Sequence, residues 1–417
     1  PVDGGVDVAS EPVDGGVDVA SEPVDGGVEV APEPVDAPDL IPLDEVRIRL
    51  GTAKNSNYKL HWEYGNSDLN NKHLLIQGKS GTGKTYLMQC LIQEMSRQKI
   101  PTLIIDYSNA FTLNELEEEF KESIGDNLEN HFVYTDKFPL NPFRRQQIDL
   151  GGIMVDENDI DIAGRFKSVL NEVYNFGDQQ LNCINNAILS GLKHYGSKMS
   201  LDLFRKELEN DDSTHAETAL NKLNEFLLHE PFNTKQNFEW TDLDERNGKV
   251  IIVQLAALPP SVQRIITELI LWDLWFYKKN VTKSKEKPFN VVLDEAQNLN
   301  FKDSSPAYKI LKEGRKFGWS AWFATQSFTG SMGSKEIDTL NNAEEKIFFK
   351  PTGDTSSIAK IISNSNSEQQ EWKEKIQLLK KSECIVYGGI KDRNNNLTPS
   401  KPIIIKVDPL SSRINEN

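Results

Sequence analysis

"HLLIQGKSGTGKTYLMQC", His73 to Cys90, passes from an apolar run through a glycine-rich turn into a helical pattern. Within it Gly78, Lys79, Ser80, Gly81, Thr82, Gly83, Lys84 and Thr85 fit G-x-x-x-x-G-K-[ST], and a strand before and a helix after are the setting in which that spacing binds phosphate. Glycines let successive backbone N–H groups converge on phosphate oxygens at a helix N-terminus, where the peptide dipole favours an anion. Lys84 is then placed to bridge β- and γ-phosphates, and the Thr85 hydroxyl to bind Mg2+.

"FNVVLDEAQNL", Phe289 to Leu299, supplies the second half. An Asp at the end of a buried apolar strand holds Mg2+, and an adjacent Glu orients or deprotonates the attacking water; Asp294 and Glu295 take those roles. Taken alone, a strand ending in two acids is ordinary, and the distant P-loop is what gives it weight. Glu295 argues for hydrolysis over a simple binding switch. "WSAWFATQS" sets Gln326 just past another apolar strand, where an amide touches both the γ-phosphate and the lytic water, although any loop shows a polar residue there. "LKEGRKFGWS" carries Arg315 and Lys316 at a helix end. Arg315 is either a cation offered to a neighbour's nucleotide or one favoured by the helix C-terminal dipole.

The surrounding pattern is α/β. "PTLIIDYS", "KVIIVQL", "WSAWFAT" and "EKIFFK" read with "FNVVLD" as short strands of a buried, mostly parallel sheet, and helical patterns separate them. "VRIRLG" and "YKLHWEYG" read as a hairpin leading into the P-loop. The tail after Trp372 returns to strands, "ECIVYGG" and "KPIIIKV", which complete a sheet edge or reach a neighbouring subunit. The expected division is a disordered acidic linker over 1–42, an ATPase core over 43–106 and 246–417, and a mostly α-helical insertion over 107–245, entered through "FPLNPF". Trp272, Trp275, Trp319 and Trp322 lie in apolar patterns and are expected in the core. "KKNVTKSKEK", Lys278 to Lys287, is the densest basic run; without interleaved aromatics it reads as a solvated loop rather than a nucleic-acid contact.

The first 33 residues repeat PVDGGVDVASE with an 11-residue period, too polar to offset chain entropy. Residues 1–50 hold 13 of the 63 acids and two of the 47 basic residues, so −11 of the net −16 lies there. The remaining −5 neither supports nor opposes DNA binding by the folded part. Cys90, Cys183 and Cys384 form no CxxC pair and read as free thiols in a reducing cytosol, which places the chain in the cytoplasm. No apolar run reaches the roughly 18–20 residues of a membrane span. A linker-like start without Met reads as a piece of something longer.

Taken together, "HWEYG" before "NNKHLLIQGKSGTGKT", then "LIIDYSNAF", "LNPF", "VVLDEAQNL" and "EGRKFGWSAWFATQS", resemble the HerA/FtsK superfamily of ring-forming P-loop ATPases over roughly residues 46 to 407. Within it the wording is most similar to the ATPase part of the restriction component of bacterial DNA phosphorothioation systems. The resemblance implies a RecA-like core, a homo-oligomeric, hexameric ring, hydrolysis of ATP with Mg2+, and movement along duplex DNA. In that setting it also implies restriction of DNA without phosphorothioate marks, alongside other restriction-system proteins or a nuclease, since no nuclease signature is present. Carried over by motif position, Lys84 and Thr85 bind phosphate and metal, Asp294 and Glu295 form the Walker B pair, Gln326 senses the γ-phosphate and Arg315 acts in trans. Two other readings share the motifs: a nucleotide-gated assembly module that recruits a nuclease, and a secretion or conjugation ATPase.

Overall fold

Strands whose residues are apolar without alternation need cover on both faces, and the architecture supplies it. In the computed structural model, which describes residues 40–303, 305–326, 333–353, 355–392, 394–398 and 401–414, the strands are β1 (Ile48–Ala53), β2 (Lys59–Trp62), β3 (Leu74–Gln77), β4 (Thr102–Asp106), β5 (Leu128–Phe132), β6 (Gln147–Asp149), β7 (Met154–Asp156), β8 (Val250–Gln254), β9 (Phe289–Leu293), β10 (Trp319–Thr325), β11 (Glu345–Phe348), β12 (Glu383–Tyr387) and β13 (Ile403–Lys406). Eleven of them form one sheet in the order β2-β1-β13-β12-β11-β3-β10-β9-β4-β8-β5. Every pairing from β11 to β5 is parallel, and every pairing from β11 outward to β2 is antiparallel. Of the linker expected over 1–42, residues 1–39 lie outside the described residues, while 40–42 are described and Ile41 O accepts from Arg246.

Alternate residues of each parallel strand serve opposite faces. Leu103 and Ile105 of β4, with Val291 and Leu293 of β9, enter one core, while Ile104 and Val292 enter the other. The first core is closed by the helix Pro260–Asn280 and by helices Asp159–Tyr174, Asp178–Tyr195, Leu201–Glu209 and Thr214–His229. The second is closed by the helix Lys84–Arg97 through Leu87, Met88, Leu91, Ile92 and Met95, spaced to form one stripe. That helix stops where Lys99 turns left-handed, at φ 61°, just before Pro101. Trp275, Trp319 and Trp322 are buried in these cores, and Trp272 packs at the margin of the first.

Two local readings change. The mostly α-helical stretch 107–245 also carries strands the sequence reading did not name, β6, β7 and Leu128–Phe132, the edge strand β5, parallel to β8. Its sequence LENHF has no apolar run, since an edge strand is half solvated and needs none. Lys278 is not a solvated loop cation. It lies in the last turn of the helix Pro260–Asn280, its side chain fully buried, with Nζ 2.6 Å from an Asp244 carboxylate oxygen and 4.4 Å from the Phe289 ring centroid.

Glu345, the first residue of β11, is completely buried, and one carboxylate oxygen accepts the Gly389 N–H at 2.7 Å. Burial pushes its pKa up to about 8, and does the same to Glu268 in the helix Pro260–Asn280. The folded chain therefore keeps protons that the unfolded chain releases in the ordinary Glu range, so stability falls as pH rises from that range to about 8 and then levels off. Denaturant midpoints are expected to decline between about pH 5 and about pH 8, and Glu345→Gln, which keeps an acceptor for Gly389, should make the decline shallower. An unchanged slope in that variant would show that Glu345 is charged when folded.

Candidate nucleotide site at the strand ends

Parallel register brings the C-terminal ends of β3, β10, β9, β4 and β8 to one edge of the sheet. The P-loop leaves β3 tied on both sides: Gly78 N–H donates to Thr325 O at 3.2 Å, and Lys79 N–H to Lys350 O at 3.1 Å. Gly81 and Gly83 take positive φ, 77° and 111°, and a Cβ at Gly81 would meet nothing within 4 Å, so the loop stays open toward solvent. Inside the loop the Thr82 hydroxyl donates to Lys79 O at 2.7 Å. From outside, Ser382 N–H, just before β12, donates to Thr82 O at 3.1 Å. The helix begins at Lys84, and its first-turn N–H groups have no partner within the helix.

Lys84 bends back over this loop, its ammonium donating to Gly78 O at 2.6 Å. Burial lowers its pKa, and the carboxylates of Asp294 and Glu295 act in the opposite direction, so both acids are within electrostatic reach of the ammonium. Asp294 is 5 % exposed, and burial raises its pKa to about 6, with Glu295 and Asp106 adding to the effect. The Ser108 hydroxyl opposes that rise by donating to Asp294 Oδ2 at 2.8 Å. Ser108 is in turn held by Asp106 at the end of β4, whose carboxylate accepts the N–H groups of Ser108, Ala110 and Phe111 at 3.0, 3.2 and 2.8 Å.

Glu295 adopts φ 55°, a conformation rare outside glycine, which turns its side chain out of the strand direction. Gln326 Nε2 donates to Glu295 Oε1 at 2.8 Å, and Gln297 Nε2 donates to Oε2. The orientation of Gln297 is set by Thr325, whose hydroxyl donates to Gln297 Oε1 at 2.9 Å. Because β10 lies between β3 and β9, Gln326 stands between the P-loop and the acidic pair.

Lys84, Asp294, Glu295 and Gln326 are therefore gathered at one place. Thr85, half-buried in the first helical turn, adjoins them. Arg315 is not there. It is exposed in the turn Gly314–Phe317 that enters β10 at its other end, about 20 Å away at strand rise. Reading the sequence missed Asp106, Ser108, Gln297, Thr325 and Ser382. Asp106 ends an apolar strand as Asp294 does, which was a usable signal; the others are ordinary polar residues whose role exists only through a non-local neighbour.

Residues 48–274 match the family described as helicase HerA, central domain. The chain belongs to that family. Among solved structures, the HerA-type chain is similar to VirB4 of Thermoanaerobacter pseudethanolicus, at 15% identity and TM-score 0.65, over 88% of this chain and 98% of that one. It is similar also to the bacterial conjugative coupling protein TrwBdeltaN70 in its unbound form, at 15% identity and TM-score 0.56, over 82% and 85% of the two chains. A third likeness is to TrwB in complex with ADP and Mg2+, at 15% identity and TM-score 0.54, over 81% and 85%. These likenesses establish the fold of a P-loop ATPase. No curated protein matches the chain. Among the described residues no helix is long and apolar enough to cross a membrane.

The closest approach in the site is at Gly78, where a Cβ would come 2.5 Å from Phe349 Cβ. Gly78→Ala should push β3 and β11 apart at their ends, lowering stability by about 1–3 kcal/mol and weakening nucleotide binding. Denaturation and a nucleotide titration check it, and wild-type values for both would mean the loop shifts freely.

Proposed function

We propose that this HerA-family chain hydrolyses ATP with Mg2+ and, as a homo-oligomeric, hexameric ring, moves along duplex DNA in a phosphorothioation-dependent restriction system. What carries the hydrolytic part is the joint placement of Lys84, Asp294, Glu295 and Gln326 at the ends of adjacent parallel strands. The residues fit the nucleotide and its metal: an open glycine position in the loop at Gly81, a lysine satisfied by a loop carbonyl, and a hydroxyl and a buried carboxylate nearby. Mg2+ held by Thr85 and Asp294 would supply charge neutralisation for the phosphate oxygens.

The chain's own residues do the rest. Lys84 exchanges Gly78 O for phosphate oxygens, a charge-assisted bond stronger than the one it leaves. Glu295 receives the proton of the attacking water at Oε1, the oxygen that Gln326 holds in the resting state. Gln326 has one amide for two demands, so contact with the terminal phosphate releases Oε1 for the water. Arg315 reaches no phosphate bound by its own chain, and its route to the chemistry is across an interface to an adjoining copy. The restriction setting rests on the resemblance of the motif wording alone, and any nuclease would be another protein.

A second reading, a secretion or conjugation ATPase, is favoured by the likeness to VirB4 and to a conjugative coupling protein. Steady-state hydrolysis by the chain, with and without long duplex DNA, separates the readings. Stimulation by duplex that disappears in Glu295→Gln supports the motor; DNA-independent turnover counts against it and points to a secretion ATPase that moves protein. Lys84→Ala should abolish nucleotide binding, and Glu295→Gln should retain it while cutting turnover by about a hundredfold or more. Equal activity in both variants would remove the assignment.

Asp294 must be charged to hold the metal. Mg2+-dependent nucleotide binding should weaken as pH falls through about 6, and Ser108→Ala, which removes the bond favouring the charged form, should move that midpoint upward. A midpoint unaffected by the substitution would count against the Ser108 assignment.

A further inference from the structure

At the opposite end of the sheet from the P-loop, the residues preceding β3, β9 and β10 enclose a cavity of about 360 Å3. Leu43, Leu69, Pro288 and Trp319 give it an apolar floor. The cations that the hydrolytic assignment leaves free come from two separate segments, Lys72 before β3 and Lys285 before β9. The walls are built rather than incidental. Gly318 turns at φ 77°, and a Cβ there would lie 2.5 Å from Ser284 O and 2.7 Å from Lys287 O, so the Arg315 turn is pressed against the loop that carries Lys285. The Ser284 hydroxyl fastens the same two segments by donating to Phe317 O at 2.9 Å.

Lys72 is the least satisfied group of the set. Its ammonium stands 4.4 Å from the centroid of the buried Tyr64 ring, which meets it on one side. Burial pushes its pKa down to about 8, and the charges acting on it, Lys285 and Arg246, push the same way. The two carboxylates on the wall, Asp44 and Glu286, do not offset them at Lys72, and Glu286 lies 3.6 Å from Lys283. Cations from separate segments above an apolar floor call for an anion with a compact body.

We propose that this cavity is a second anion site, distinct from the P-loop, that takes a phosphate-bearing small molecule. An oxyanion there would give the Lys72 ammonium a counter-charge and tie together the segments entering β3, β9 and β10, the strands that carry the nucleotide site at their far ends. The site is therefore suited to an effector that is not itself hydrolysed.

The test is calorimetric titration of inorganic pyrophosphate into the full chain carrying Lys84→Ala, which disables the P-loop. One equivalent should still bind, and adding Lys72→Met should weaken it at least tenfold. Lys285→Ser, at an exposed position where folding is not at stake, should weaken it as well and leave ATP turnover of the otherwise unaltered chain unchanged. No binding by the Lys84→Ala chain, or affinity indifferent to both substitutions, overturns the proposal. Displacement of pyrophosphate by a short DNA duplex at matched phosphate concentration overturns it too, by assigning these cations to a nucleic-acid backbone.

Discussion

The parallel register of β3, β10 and β9 is the constraint on which the rest depends. Trp322 stands opposite both Leu74 and Val292, and Phe323 opposite both Leu75 and Leu293, so three chain segments distant in sequence end at the same level. A one-residue slip would exchange every side chain between the two cores and carry Gln326 away from Glu295. The double-sided burial of these strands makes such a slip prohibitive. Positional accuracy at the nucleotide site is thus a product of hydrophobic packing well away from it.

The chemistry at the strand ends is built from competition for few partners. Lys84 rests on loop carbonyls, Glu295 on two amides, and Asp294 on the Ser108 hydroxyl and a backbone N–H. Each of these bonds is weaker than the charged contact that would replace it, so the groups are held in place without being committed. Burial of Asp294 works against its ionisation, and Lys84 and Ser108 work for it.

Much of this was legible in the sequence wherever the signal was local. The P-loop, the Walker B strand and Gln326 are each a short motif at the end of an apolar run, and the runs themselves show the buried parallel sheet. β5 was not legible, because an edge strand needs no apolar pattern, and its partner β8 is more than a hundred residues away. Lys278 was misread since nothing near it in sequence announces Asp244 or the Phe289 ring. Gln297 lies inside a motif, yet its function depends on Thr325 from the next strand. The cavity at the other end of the sheet has no sequence signature at all, being assembled from turns whose residues are common in any loop.

Ser382 joins the P-loop to β12, which pairs with β13, which pairs with β1. Those strands bring the beginning and the end of the described chain together beside the nucleotide-binding turn. Three to four strands of hydrogen-bonded sheet form a stiff plate, so the Thr82 peptide is held against a margin that resists bending. The nucleotide-binding turn is thereby moored to both ends of the described chain, through the 3.1 Å Ser382–Thr82 bond and through the ladder from β3 by way of β11.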